Sequence, residues 1–230
     1  FNTGDAVYAR PDMARDGAYA EYIVVRASEI ALKPKSLDFI HAAAVPLSAL
    51  TAWQSLFDAG KLEKGQRILI HAGAGGVGHY AIQLAHWKGA HVITTTSAHN
   101  ADFVRVLGAA EVIDYTQMPF EKVVRDVDMV FDTVGGEVQQ RSWQILKKGG
   151  ILVSILALTV PEEAPQQGWR SAYVFVQPNS AQLTQIADLI DTGKVSPVVE
   201  KVLPLSEAAQ AHALIQSAHT RGKIVLRVKD

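Results

Sequence analysis

The 230-residue sequence contains no cysteine. This absence excludes disulfide bonds, thiolate zinc sites, iron-sulfur clusters and cysteine nucleophiles within the chain. Charge is also scarce, since charged residues make up 20% of the chain and the net charge is -1. Such a balance gives no reason to expect a nucleic-acid or membrane partner. No apolar run reaches the roughly 18 residues of a membrane-spanning helix.

The beginning of the sequence carries no basic stretch followed by an apolar one, so no secretory leader is predicted. We expect a cytoplasmic protein, because the lack of cysteine is compatible with a reducing compartment. The first residue is Phe1, and residues 1–8 resemble the beginning of a strand. We therefore expect that a segment preceding Phe1 is missing from the sequence.

The order of predicted elements indicates the fold class. Short strands and turns fill residues 1–35, including strands over 5–9 and 19–25, and Ser36 is predicted to cap a helix over 37–44. From Arg67 onward, short apolar strands alternate with amphipathic segments of helix length, which is typical of βαβ units. We predict six parallel strands in a doubly wound α/β sheet, at residues 67–71, 91–95, 111–113, 128–132, 151–155 and 173–176. The last strands and helix, residues 198–228, are expected to rejoin the N-terminal β region.

A glycine-rich turn follows the first of these strands. Gly73, Gly75 and Gly78 satisfy G-x-G-x-x-G between an apolar strand and a predicted helix over 77–87. Glycine allows the backbone to approach a pyrophosphate, and the amide groups at the helix start face the phosphates. The alternatives are a turn that only packs the helix on the sheet and a turn that binds S-adenosylmethionine. A P-loop is excluded, because His79 and Tyr80 follow Gly78 where lysine and serine or threonine would be needed.

The end of the second strand indicates the type of dinucleotide. NAD-binding proteins place an acidic residue there to bind the ribose 2′-hydroxyl, but this chain has Thr94-Thr-Thr-Ser97, and no acid occurs between Gly78 and Asp102. Hydroxyl groups can donate to a 2′-phosphate that a carboxylate would repel, which favours NADP(H) over NAD. The alternative is that these threonines are only β-branched strand residues.

Several segments resemble the zinc-independent quinone oxidoreductase branch of the medium-chain dehydrogenase/reductase superfamily. Their order and spacing along almost the whole chain carry the resemblance. They are Gly17-Ala-Tyr-Ala-Glu-Tyr22, Leu50-Thr-Ala52, the glycine turn, Val112-Ile-Asp-Tyr115, Phe131-Asp-Thr-Val-Gly-Gly136, Lys147-Lys-Gly-Gly150 and Gly222-Lys-Ile-Val-Leu226.

The resemblance implies a dinucleotide-binding Rossmann domain over 37–194 and part of a GroES-like substrate domain over 1–36 and 195–230. It also implies a small-molecule substrate and a homodimer, formed through the last sheet strand at 173–176. The residues that it assigns to the cofactor are Thr51, Ala52, Gly75, Gly76, Val77, Gly78, Thr96, Ser97, Asn100, Tyr115, Thr133, Val134, Ser154 and Ile155. Asn100 departs from relatives that carry lysine there. Tyr115 can equally cover a strand end, and Ser154 can equally be a buried hydroxyl bonded to the backbone.

The reaction class follows from motifs that the sequence lacks. It has no cysteine ligands, no H-E-x-x-H among its eight histidines, no Tyr-x-x-x-Lys and no G-x-S-x-G. Direct hydride transfer from NADPH to a quinone or an α,β-unsaturated carbonyl needs only positioning and a hydrogen-bond donor, for which Thr51 is the best hydroxyl available. Two alternatives stay open: a non-catalytic, crystallin-like NADPH-binding protein, and an NAD(P)-dependent alcohol dehydrogenase.

Overall fold

The computed structural model describes residues 1–217 and 220–229. The described chain forms two compact units, one made of Phe1–Leu50 with the residues from Val176 onward and the other of Thr51–Phe175. Residues 37–50 and 176–194 therefore lie in the first unit, although the sequence analysis assigned them to the Rossmann domain. A compact unit need not coincide with a domain of the family, so the domain boundaries stay a prediction.

The chain contains ten strands within its described residues. They are β1 Val7–Ala9, β2 Ile30–Leu32, β3 Arg67–Ile70, β4 His91–Thr96, β5 Glu111–Asp114, β6 Val127–Asp132, β7 Leu146–Ser154, β8 Arg170–Tyr173, β9 Val199–Pro204 and β10 Lys223–Arg227.

Eight α-helices connect or flank these strands in the same described part. They are α1 Phe39–Ala43, α2 Pro46–Trp53, α3 Gly78–Lys88, α4 Ala101–Val106, α5 Gly136–Ser142, α6 Ala164–Gln167, α7 Ser180–Asp191 and α8 Ala208–Gln216. A π-helical segment, Gln54–Ala59, continues α2.

The unit Thr51–Phe175 is built on a six-stranded sheet in the order β5-β4-β3-β6-β7-β8. All five neighbouring pairs are parallel, which confirms the predicted doubly wound sheet. The central strand β3 is fully buried over Ile68-Leu-Ile70, because helices cover both faces of a parallel sheet. From β3 the chain builds β4 and β5 on one side of the sheet, and it then returns to build β6, β7 and β8 on the other side. The strand order thus reverses beside the carboxyl end of β3, where ligands bind in folds of this class.

The unit containing Phe1–Leu50 holds two small sheets. β1 pairs antiparallel with β2, and β9 pairs parallel with β10. Helix α7 belongs to this unit, where the buried Tyr8 hydroxyl donates to the carbonyl of Leu183 at 2.6 Å. The Asp191 carboxylate at the end of α7 accepts from the backbone of Lys35 and Ser36.

Three local predictions were wrong. Residues 19–25 form no strand, and Tyr22 and Val24 are 85% and 80% exposed, because no described strand lies alongside to pair with them. Ser36 does not cap α1: its hydroxyl donates to Asp191, and Asp38 caps the helix by accepting from the His41 amide. Strand β8 covers Arg170–Tyr173 instead of 173–176, because the pairing with β7 ends at Tyr173, and two of the apolar residues that suggested the later position, Tyr173 and Phe175, are half exposed.

Candidate functional site

The glycine turn after β3 has the backbone shape that a phosphate cradle requires. Ala72 adopts a left-handed conformation with φ of 50°, and its carbonyl accepts from the Gly75 amide at 2.9 Å. A Cβ on Gly78 would lie 2.2 Å from the Ala72 oxygen, so only glycine fits there. A Cβ on Gly75 would meet nothing nearer than that same oxygen at 3.2 Å. Gly78 is therefore needed for packing, whereas Gly75 leaves an open side where a ligand can approach.

The same turn leads directly into α3, which begins at Gly78. The first amide groups of a helix have no partner within the helix, and they carry the positive end of its dipole. Gly75, Gly76 and Val77 just before the helix are half-buried rather than covered. The arrangement is thus suited to a phosphate group, and it lies beside the reversal of strand order.

A buried histidine lies under the turn. His71 is 1% exposed, its Nδ1 lies 3.1 Å from the Thr95 hydroxyl, and its Nε2 lies 2.9 Å from the Ser142 hydroxyl. The Ser142 hydroxyl donates to the Val138 carbonyl at 2.6 Å, and the Thr95 hydroxyl accepts from the Ala72 amide at 3.2 Å. Burial lowers the pKa of His71 to about 4, although the nearby Asp132 carboxylate opposes this effect. His71 is therefore neutral at neutral pH.

A buried carboxylate organises the loop that follows β6. Asp132 accepts from the amides of Val134 and Gly135 with one oxygen, and from Gln139 and Ser154 with the other. Burial alone would raise the pKa of Asp132, but these donors, the Gly135 amide foremost, lower it below its usual value. The loop is thus held by a charged, fully bonded group, and it presents the 45%-exposed side chain of Val134.

Gln139 connects this carboxylate to the segment after β7. Its Nε2 donates to Asp132, to the Ser154 hydroxyl at 3.2 Å and to the Ala157 carbonyl at 3.1 Å. Its Oε1 accepts from the Thr159 amide at 2.8 Å. The loops at the ends of β6 and β7 are therefore joined through one side chain.

The end of β4 is less open than the sequence suggested. Thr94 donates to the Ile70 carbonyl at 2.8 Å, and Thr95 bonds the glycine turn, so neither hydroxyl faces a ligand. Thr96 is 3% exposed. Ser97 and Asn100 are half-buried, and the Asn100 amide lies 3.4 Å from the Ser97 hydroxyl while its other polar atom has no partner.

The remaining site residues are placed as follows. Tyr115 is 59% exposed beside the end of β4, where its amide donates to the Thr96 carbonyl. The Thr133 hydroxyl donates to the His71 carbonyl at 2.8 Å, and Ile155 is half-buried. Ser154 is fully buried in the Asp132 network, so its hydroxyl is used internally. Thr51 and Ala52 are buried in α2.

The structure thus brings most predicted residues to the carboxyl edge of one sheet, from Tyr115 through the turn to Ile155. Sequence reasoning assigned no role to His71, Asp132 or Gln139, and it expected the Thr95 hydroxyl to face a phosphate, whereas that hydroxyl bonds the glycine turn and His71. A signal for two of these residues is visible in the sequence, because His71 and Asp132 each come directly after three apolar residues, Ile68-Leu-Ile70 and Met129-Val-Phe131. Polar residues in such positions need internal partners.

Two further properties bear on the site. Within the described residues, no three histidine, aspartate or glutamate side chains converge as a metal site would require. Among the helices within 1–217 and 220–229, none combines the length and apolarity that crossing a bilayer requires.

Comparisons with known proteins place this architecture. A family model described as "Zinc-binding dehydrogenase" matches residues 107–226. The "Probable zinc-binding oxidoreductase, mitochondrial" of Arthroderma benhamiae is 36% identical over 99% of this chain and 74% of its own length. The "NADPH-dependent alkenal/one oxidoreductase, chloroplastic" of Arabidopsis thaliana is 36% identical over 97% of this chain and 58% of its own length. The solved quinone oxidoreductase from Coxiella burnetii superimposes with a TM-score of 0.93 at 38% identity, covering 100% of this chain and 74% of that one.

The sheet order, the glycine turn and these relatives together define an oxidoreductase of the Rossmann type. The chain belongs to the medium-chain dehydrogenase/reductase superfamily, among its quinone-oxidoreductase-like members. It spans about three quarters of the first relative and less than two thirds of the second.

Proposed function

We propose that this protein is an NADP(H)-dependent oxidoreductase that reduces quinones or α,β-unsaturated carbonyls by direct hydride transfer, without zinc. The observation that carries the proposal is the turn after β3, with its open side at Gly75 and helix-start amides beside the reversal of strand order. The names of the relatives, an alkenal/one oxidoreductase and a quinone oxidoreductase, support the substrate class.

The cofactor is assigned to residues along the sheet edge. Gly76, Val77 and Gly78 would hold the pyrophosphate through their amide groups, and it would lie against the backbone of Gly75, whose own amide donates to the Ala72 carbonyl. The adenosine end would lie against Thr96, Ser97, Asn100 and Tyr115, where Tyr115 offers an exposed ring for stacking. The nicotinamide end would lie near Thr51, Ala52, Thr133, Val134, Ser154 and Ile155, with Ser154 contributing its backbone because its hydroxyl is bonded to Asp132.

Two observations favour NADP(H) over NAD. The end of β4 carries no acidic side chain to bind a 2′-hydroxyl. The buried polar atom of Asn100 that has no partner can belong to either end of its amide, because the oxygen and nitrogen are assigned only from the hydrogen bonds around them. With the amide group turned, its NH₂ becomes a donor for a phosphate beside Ser97.

The chemistry demands positioning rather than a reactive side chain. Bound NADPH supplies a hydride to an electron-poor carbon of the substrate. The chain would orient the two reactants, exclude water and offer one hydrogen bond to the developing oxyanion. We assign that hydrogen bond to the Thr51 hydroxyl. A quinone or enone suits such a site because the negative charge spreads over a conjugated oxygen.

The proposal is tested by measuring NADPH oxidation by the complete protein with a panel of quinones, enones and saturated ketones. Turnover with quinones or enones, unaffected by a chelator and with no stoichiometric metal by elemental analysis, is the expected result. Uniform inactivity with tight NADPH binding would instead identify a non-catalytic binding protein.

A second candidate is an NAD(P)-dependent alcohol dehydrogenase, which the description of the matching family, "Zinc-binding dehydrogenase", favours. It predicts oxidation of alcohols and loss of activity on chelation. A homodimer formed through the edge strand β8 and a cytoplasmic location are further proposals. The location stays a prediction, because the names of the two relatives above carry "mitochondrial" and "chloroplastic".

A further inference from the structure

We infer that His71 and Thr95 are positioning residues for pyrophosphate binding, because they hold Ala72 in the conformation that aims the following amides at the ligand. This inference rests on the proposed NADP(H) binding. Neither side chain is assigned to touch the cofactor, and both act through the backbone of the glycine turn.

The hydrogen bonds around His71 allow one arrangement of protons. Because the Ser142 hydroxyl donates to the Val138 carbonyl, its oxygen accepts from His71 Nε2–H. His71 Nδ1 is then an acceptor, so the Thr95 hydroxyl donates to it. The Thr95 oxygen remains free to accept from the Ala72 amide. A directed chain therefore runs from the turn through Thr95, His71 and Ser142 to α5.

Thr95 also holds the next residue of the turn, since its carbonyl accepts from the Gly73 amide at 3.0 Å. Two consecutive amides of the turn are thus bonded to one residue of β4. This double attachment matters at Ala72, because a left-handed alanine persists only where its surroundings impose it. The Ala72 carbonyl accepts from the Gly75 amide, so its orientation sets the path toward Gly76 and Val77.

This series of hydrogen bonds is stable at neutral pH. Burial keeps the pKa of His71 at about 4, so its Nδ1 stays an acceptor at neutral pH. If His71 were protonated, both of its ring nitrogens would be donors, so Nδ1 could no longer accept from the Thr95 hydroxyl and the arrangement would be lost.

The test compares two ligands that differ in the pyrophosphate. NADPH carries it, whereas adenosine 2′-monophosphate has the adenosine and the 2′-phosphate without it. For Thr95→Val, which keeps the β-branched shape, we expect the Kd of NADPH to rise about tenfold and that of adenosine 2′-monophosphate to change less than twofold. Thr95→Ser, which restores the hydroxyl, should return the NADPH affinity to within about threefold of wild type.

Two further variants separate positioning from lost stability. Ser142→Ala removes the other partner of His71 and should weaken NADPH binding in the same direction, by a smaller factor. Leu152→Ala lies in the core of β7 and lowers stability, but it should leave both Kd values unchanged. If Thr95→Val weakens the binding of both ligands equally, or leaves the NADPH affinity unchanged, the inference is overturned while the proposed function stands. A wild-type protein that binds neither ligand overturns the proposed function together with it.

Discussion

The depressed pKa of the buried His71 makes a prediction about acid stability. In the unfolded chain this histidine titrates near its ordinary pKa of 6.5, whereas burial lowers its pKa to about 4 in the folded protein. Between these two values the unfolded state binds more protons than the folded state. Stability therefore rises with pH across this window, is fully present above pH 6.5, and is lost as the pH falls toward 4.

The size of the effect follows from the two pKa values. Each unit of pKa difference corresponds to about 1.4 kcal/mol. At pH 5, about 1.5 units below the unfolded value, the contribution is a loss of about 2 kcal/mol relative to pH 7.5. The charges of Asp132 and Glu121 raise the pKa of His71 and that of Arg141 lowers it, but burial is the dominant cause of the lowered pKa. Asp132 has its own pKa below the usual carboxyl range, so its stabilisation is lost only at still lower pH.

The assay can be restricted to the relevant unit. All four tryptophans, at positions 53, 87, 143 and 169, lie within Thr51–Phe175. Urea unfolding followed by tryptophan fluorescence therefore reports on the unit that contains His71. We expect His71→Gln to lower stability at every pH, because its hydrogen bonds are disturbed. Its difference from wild type should shrink by about 2 kcal/mol between pH 7.5 and pH 5.

The control is Leu152→Ala, which lowers stability in the same unit without changing a titratable group. Its difference from wild type should stay constant over this pH range. A constant difference for His71→Gln as well would refute the reasoning, since it would mean that the folded protein tolerates a charged His71.

Three further predictions concern the sheet edge. Gly78→Ala should lower the free energy of unfolding by more than about 2 kcal/mol, since its Cβ would overlap the turn. Gly75→Ala should lower it by less than about 1 kcal/mol but weaken NADPH binding at least about tenfold. Urea unfolding measures the stabilities and fluorescence titration the binding, and equal stability losses for the two variants would contradict the roles assigned to the two glycines. Asn100→Lys should tighten NADPH binding about three- to tenfold without changing NADH binding, because the added ammonium attracts the 2′-phosphate, which only NADPH carries. Parallel titrations with the two cofactors check this prediction, and an equal gain for NADH would place the 2′-phosphate elsewhere. Ser154→Ala should cost about 1–2 kcal/mol by removing a donor from the buried Asp132 carboxylate, and a loss under about 0.5 kcal/mol in urea unfolding would show that the carboxylate finds another donor.

The sequence predicted the sheet well where burial leaves a strong pattern. Strand β3 is a continuous apolar run because both of its faces are covered, and the glycine turn follows it with the expected helix. The same logic located β4, β5 and β6 to within one residue at each end, whereas β7 begins five residues earlier than predicted and β8 lies three residues earlier. Strand β8 begins with Arg170 and Ser171, which are exposed, so the apolar pattern in the sequence lies about three residues further on.

The side chains of the site were harder to predict than the backbone. Three consecutive threonines at the end of β4 indicated hydroxyls for a phosphate, yet Thr94 and Thr95 bond the main chain of β3 and of the turn. Strand periodicity shows which residues alternate, but the partner of a buried hydroxyl depends on the neighbouring strand and its register. That register joins residues far apart in the chain, which a single sequence does not reveal.

The buried polar side chains near the strand ends bond protein groups and shape the site, so they are not available to bind a ligand. Four strands of the sheet have a buried polar residue within one position of their ends, and each side chain bonds other protein groups; these residues are His71, Thr95, Asp132 and Ser154. In the proposed binding mode, contact with the pyrophosphate is left to main-chain amides, which are the same for any dinucleotide. Under this proposal, discrimination between cofactors comes from side chains whose hydrogen bonds are not used up inside the protein, and at the proposed adenosine end these are Ser97, Asn100 and Tyr115. Changes in cofactor preference should therefore be obtainable at those three positions without disturbing the buried network that shapes the turn.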